Sequence, residues 1–189
     1  MKVKKQLTIE EFNVLSVKNK KILVAEDVLA QIKLGKYIAE SGTYLNLNFD
    51  TLSLNNDDDI KKNFDQIKSC EVCAIGSAVM SITKFANNLS IGDTYDIVSN
   101  TKVEKLLLSV FTEKELALME ACFEGEGCQN YTEHKDIYSL SEDERDICNE
   151  FYEDYSGKEE YYDDADSEKL LINIMKNIIK NGEFNPEIY

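Results

Sequence analysis

The sequence predicts a mainly α fold, with a minor β part in the form of a small hairpin near residues 37–47. Three observations lead there. Helix-start signatures recur along the chain, glycines stand where helices would stop, and one Ser-Gly turn is flanked by Tyr, Ile, Thr and Leu. The chain has 189 residues, 43% of them hydrophobic. That is enough to bury a real core, and residues 1–189 are read as a single domain.

The starts come first. Thr8 and Glu11 are spaced for a capping box, in which the Thr hydroxyl accepts from the third amide and the Glu reaches back. The same spacing recurs at Thr101 and Glu104, Thr112 and Glu115, and Ser141 and Glu144. Gly35, Gly125, Gly157 and Gly182 mark stops, where the chain turns through positive φ. About eight helices follow, near 9–17, 21–34, 58–67, 70–87, 102–110, 113–124, 142–155 and 167–180. Ser41-Gly42 makes the hairpin turn. Residues 46–57 alternate polar and apolar and suit a further short strand or an ordered loop.

Helix 70–87 is the most hydrophobic. Ala74, Gly76, Ser77, Ala78 and Ser81 let neighbouring backbones approach, while Val72, Ile75, Val79, Ile82 and Phe85 add bulk on several sides. A helix apolar most of the way round belongs at the centre of a domain. Gly76 costs about 1 kcal/mol against Ala in a helix interior, so close packing explains its presence. The last helix has the clearest stripe, in Leu170, Leu171, Ile174, Met175 and Ile178, and Gly182 and Pro186 end it.

Charge is unevenly placed. The formal net charge is −15, from 36 acids and 21 bases. Residues 111–168 hold twenty acids, three Lys and Arg145, or −16, so nearly all the excess lies in this helical and loop segment. Such a block repels phosphate and disfavours direct binding to nucleic acid. It attracts a basic protein surface and raises the association rate. A solvated acidic face that maintains solubility is the plainer alternative. With a single Arg in the chain, bidentate phosphate clamps are nearly excluded. The first fifteen residues have basic side chains but no apolar core of a signal peptide, and no run of about 18 apolar residues exists to span a membrane. A cytoplasmic protein is expected.

Cys70, Cys73, Cys122, Cys128 and Cys148 make an odd count, which suits reduced thiols in a cytosol. Cys70-x-x-Cys73 falls at a predicted helix start, where the dipole lowers thiol pKa. A redox dithiol has that form, but residues 58–68 read as helical and the preceding strand of a thioredoxin-like unit is missing. Small buried core residues are the plainer reading. Zinc by Cys70, Cys73, Cys128 and His134, or by Cys122, Cys128 and His134, has one pair at standard spacing. A Cys–His hydrolase using Cys70 or Cys73 with His134 and Asp136 lacks the strand pattern around the His. Asp57-Asp58-Asp59 and Asp163-Asp164-Ala165-Asp166 lack EF-hand spacing and stand just before helices, where Asp caps. No Walker loop, dinucleotide fingerprint or HExxH occurs. No metal or cofactor is expected, and no catalytic residue is assigned.

Cys70-Glu71-Val72-Cys73-Ala74-Ile75-Gly76-Ser77-Ala78 resembles the Cys-Ala-x-Gly-Ala helix of small uncharacterised phage and prophage proteins. Residues 171–186, LINIMKNIIKNGEFNP, are similar to the Ile-Met-x-Asn-Ile-Ile-x-Asn…Phe-x-Pro ending common among them, and residues 24–29 fit their opening helix. The resemblance implies a viral origin and work inside a bacterial host, and transfers no activity. The acidic stretch between Gly125 and Asp166 departs from the compact pattern of that group.

The function expected is therefore non-enzymatic. An acidic binding protein engages a basic surface on a host or viral protein, through Glu159, Glu160, Asp163 and Asp164. Inhibition of a host defence or nucleic-acid enzyme by imitation of DNA charge is one specific form. A virion assembly component and a thiol-dependent or zinc protein built on Cys70 and Cys73 are the alternatives.

Overall fold

The computed structural model describes residues 8–49, 55–86, 89–95, 97, 99–125, 140–156 and 166–188. Among them are eight α-helices: α1 (Ile9–Asn13), α2 (Val17–Lys33), α3 (Ile60–Asn63), α4 (Ala74–Ala86), α5 (Thr101–Leu108), α6 (Glu113–Glu124), α7 (Glu142–Tyr155) and α8 (Ser167–Asn181). Three short strands accompany them: β1 (Tyr37–Ala39), β2 (Leu45–Phe49) and β3 (Ile67–Val72). The fold is mainly α with a minor sheet.

Helix starts follow local chemistry. Capping boxes form at Thr8 with Glu11, Thr112 with Glu115, and Ser141 with Glu144. The fourth does not, because Asn100 takes the cap of α5 and accepts from the amides of Lys102 and Val103. Asp59 caps α3 and Asp166 caps α8, so both act as caps. Gly125 and Gly182 end α6 and α8 with φ of 66° and 80°.

The strands differ from the expected hairpin. Sheet order is β1-β3-β2, with β3 parallel to β1 and antiparallel to β2. Cys70 stands opposite Tyr37 on one side and Leu47 on the other. Residues 40–44 still turn at Ser41-Gly42, with Gly42 at φ 75°, but they pass over the end of β3. Glu40 N donates to Val72 O at 3.0 Å and Cys73 N to Tyr44 O at 3.4 Å. The segment read as the first turn of helix 70–87 is thus strand, and the helix begins at Ala74. Residues 58–67 likewise hold only the short α3, a 3-10 turn at Phe64–Gln66 and the first residue of β3.

From Ala74 onward the central-helix reading holds. Twelve of the thirteen residues of α4 are buried, Lys84 being the exception. It packs on α1, α2, α3, α5 and α6 as well as on β3. A Cβ on Gly76 would lie 1.6 Å from the carbonyl oxygen of Tyr44, so only glycine lets α4 pass beneath the 40–44 crossover. The stripe of α8 is buried as its spacing requires, and α8 packs on α2, whose Val24, Ala25 and Val28 are fully inaccessible. Among the described residues, nearly all the buried apolar side chains form one connected cluster.

Candidate functional site

The acidic half of the described chain is built on α6, α7 and the residues after α8. In α7, Cys148 and Phe151 are buried. The Phe151 ring meets Tyr155 at 4.7 Å and Phe184 edge-on at 5.8 Å. At about 100° per residue, Glu142, Asp143, Asp146, Glu150, Glu153 and Asp154 all fall within an arc of about 120° on the opposite side. All six are exposed. Arg145 is the one base in α7. Helix α7 therefore separates an apolar face, which holds it to the domain, from a carboxylate face turned to solvent.

Glu144, at about 200° around the helix when Glu142 is set at zero, falls on the side of Phe151 and Cys148 and is engaged differently. It bonds Lys114 of α6 and accepts from Ser141 N at 2.8 Å. The Lys114 bond first, then those from Ser141, hold its carboxyl down at about 2. The same contact raises the Lys114 ammonium.

Beside the acidic face runs a groove of about 350 Å³ between α2, α6, α7 and residues 183–187. Its polar lining includes Glu115 and Lys21, which meet at 2.5 Å with side chains only 9% and 8% exposed. Glu115 also accepts from Thr112 N at 2.9 Å and from Phe184 N at 3.3 Å. One carboxylate thus caps α6, neutralises a lysine of α2 and holds the chain beyond α8. Leu118, Ile147, Phe184 and Pro186 supply apolar wall, and exposed Glu183 and Glu187 complete the lining.

The thiols lie elsewhere. Cys70 sits in the central strand at 0% exposure and Cys73 at the β3–α4 junction at 2%. Burial pushes both up to about 12, although Lys36 near Cys70 and the Gly76 amide near Cys73 oppose it. The Gly76 amide donates to Cys73 Sγ at 3.4 Å, so this sulfur serves as a cap for α4. At neutral pH both are thiols, and thiolate chemistry at Cys70 or Cys73 has no support in this geometry. Among the described residues no three His, Cys, Asp or Glu side chains group to hold a metal. Cys128, His134 and Asp136 lie outside the described residues.

A second polar cluster is enclosed between α2, β1 and α4. Asp27 accepts from Lys84 Nζ at 2.5 Å and from Gln31 Nε2 at 3.2 Å. Its other oxygen is buried with no hydrogen-bond partner among the described residues. Tyr37 lies near, its hydroxyl 3.3 Å from Ser81 Oγ, and burial and then the Asp27 carboxylate raise it well above the usual phenol range. Lys36 donates to the carbonyls of Phe64 and Ile67 at 3.1 and 2.8 Å. Its ammonium and that of Lys84 lie 5.0 and 4.9 Å from the Phe64 ring centroid. These contacts anchor the turn that leads into β3.

Glu159, Glu160, Asp163 and Asp164, the partner-binding residues expected from sequence, lie outside the described residues. The carboxylates that the structure does gather on one face are those of α7. Their signal was the helical period of 142–155, with acids opposite Cys148 and Phe151. Lys21 had no such signal, because its partner is 94 residues away. Among the described residues no helix is long and apolar enough to cross a membrane. Comparison with known proteins finds no match among family models, curated proteins or solved structures.

Proposed function

We propose that the protein is a non-enzymatic binding protein that engages a basic surface of another protein through the carboxylate face of α7 and the acidic connection that follows it. The observation that carries this reading is the six exposed carboxylates of Glu142, Asp143, Asp146, Glu150, Glu153 and Asp154 on one side of one helix. At about 1.5 Å rise per residue they present roughly one charge per 3 Å of axis. One strand of duplex DNA presents one per about 3.4 Å. A protein surface shaped to hold a phosphate backbone meets a similar charge density here, so the partner is a nucleic-acid-binding protein that α7 occupies in place of nucleic acid. In the setting implied by the resemblance of the core helix to phage proteins, that partner is a host defence or nucleic-acid enzyme. Like charges in the segment also steer encounter from a distance.

The reading is tested by capture from host lysate with two quadruple variants beside the native chain. One carries Glu142→Gln, Asp146→Asn, Glu150→Gln and Glu153→Gln. The other carries the same type of change at Glu159, Glu160, Asp163 and Asp164. A partner that is retained by the native chain, displaced by added duplex DNA and lost from the α7 variant supports the reading. Retention that ignores salt, DNA and both variants overturns it.

A further inference from the structure

We infer that the groove beside α7 receives an arginine side chain of the basic partner, its aliphatic stem against Leu118, Ile147, Phe184 and Pro186 and its guanidinium among the carboxylates of Glu144, Glu183 and Glu187. This rests on the acidic-face reading for the source of the arginine, and on separate observations for the seat. The groove's volume of about 350 Å³ lies at the small end of the range that encloses a ligand. Its wall is part apolar and part anionic, which matches a long side chain with an apolar stem and a cationic end.

The charge of the lining has a definite sign. Four carboxylates, from Glu115, Glu144, Glu183 and Glu187, face two ammoniums, from Lys21 and Lys114. Glu115 is already neutralised by Lys21 and bonded by two backbone amides, and Glu144 is bonded by Lys114. Among the described residues no ion pair joins Glu183 or Glu187 to a cation, although Glu187 acts at a distance on Lys114. The unneutralised excess is therefore two negative charges, next to apolar wall, in a recess. A planar guanidinium bonds two carboxylates at once and sheds its hydration more readily than an ammonium, so arginine suits the seat better than lysine.

Position supports the same occupant. Ile147 stands at about 140° around α7 when Glu142 is set at zero, which is next to the edge of the acidic arc. A chain drawn onto the carboxylate face thus passes the groove within reach of a side chain.

The experiment uses the full chain and a fluorescent peptide of alternating glycine and arginine, with a citrulline counterpart of the same shape and no charge. Binding rates are measured together with the methyl resonances of Leu118 and Ile147. The arginine peptide is expected to shift both methyls, and the citrulline peptide to leave them in place. In E183Q/E187Q the affinity should fall about tenfold, because two charge-assisted bonds to the guanidinium are lost. Neutralising Glu142, Asp146 and Glu150 should slow association while the methyl shifts at saturation persist. Unmoved methyls at saturating peptide overturn the groove. If the α7 variant still weakens binding in that case, the acidic face stands without it. Lysine in place of arginine binding equally well, with the same shifts, overturns the guanidinium assignment, and a peptide that does not bind at all overturns both readings.

Discussion

Lys21 and Glu115 meet at 2.5 Å across 94 residues of chain, both side chains more than nine-tenths buried. The pair ties the first half of α2 to the first turn of α6 and, through the Phe184 amide, to the segment after α8. Removing one member leaves the other buried and unpaired, which costs about 3–5 kcal/mol, whereas replacing both by apolar side chains is often near neutral. Lys21→Met is therefore expected to destabilise strongly in urea denaturation. Lys21→Met with Glu115→Leu should recover part of that loss, short by the capping contribution of Glu115, about 1 kcal/mol. A single substitution costing under about 1 kcal/mol would show that the pair does not hold these elements together.

Gly76→Ala should be disproportionately damaging for the addition of one methyl group. Its Cβ would stand 1.6 Å from the Tyr44 carbonyl oxygen, and that neighbour is backbone rather than a flexible side chain. Overpacking of this kind costs about 1–3 kcal/mol or more, against the gain of about 1 kcal/mol that Ala brings to an ordinary helix interior. A denaturation midpoint that rises in the variant would mean the crossover does not lie on α4.

Cys70 and Cys73 should resist alkylation in the native state. Burial holds both at about 12, so thiolate is scarce at pH 8, and both residues are almost wholly buried. Mass spectrometry after brief iodoacetamide treatment should find both unmodified until denaturant is added. Fast native labelling at Cys73 would restore the reactive-thiol reading.

Asp93 predicts an acid limb in stability. Burial pushes its carboxyl up, but bonds from Ser90 N, Lys102, Ser90 Oγ and Asn100 outweigh this and hold it at about 2, below the ordinary 3.8. A carboxyl depressed by folding contributes stability that is complete above its unfolded pKa and is lost as pH falls through the folded one. The contribution should therefore fade between about pH 4 and pH 2. Asp93→Asn should cost on the order of 1–3 kcal/mol at neutral pH. The difference from the native chain should shrink through that window, and a gap that stays constant with pH would remove Asp93 from the cause.

Most of the helical frame was legible because it is written locally. Thr8, Thr112 and Ser141 cap helices through residues three places on, and the α8 stripe repeats every three to four residues. Strand β3 was not legible, because Cys70 and Val72 run without a break into the apolar helix and Gln66, Lys68 and Glu71 also suit a helix. The hairpin failed for a non-local reason. Tyr37–Ala39 and Leu45–Phe49 have the right composition to pair, yet a strand from about twenty residues later takes the place between them. Of the candidate site, the acidic bias and the helix 142–155 were visible. The groove was not, since Lys21, Glu115 and Glu183 come from three distant stretches.

The order of the sheet also governs when it can form. As the chain is synthesised, residues 37–49 emerge before their native partner, because each outer strand bonds only β3. Hydrogen bonding on both sides must wait until Ile67–Val72 arrives and an intervening loop closes, an entropic cost that local helix formation does not carry. Helices α1 and α2 can form while the sheet is still three unpaired segments. A nascent chain halted before residue 67 lacks the strand on which both outer strands pair, and leaves residues 37–39 and 45–49 open to whatever else is nearby.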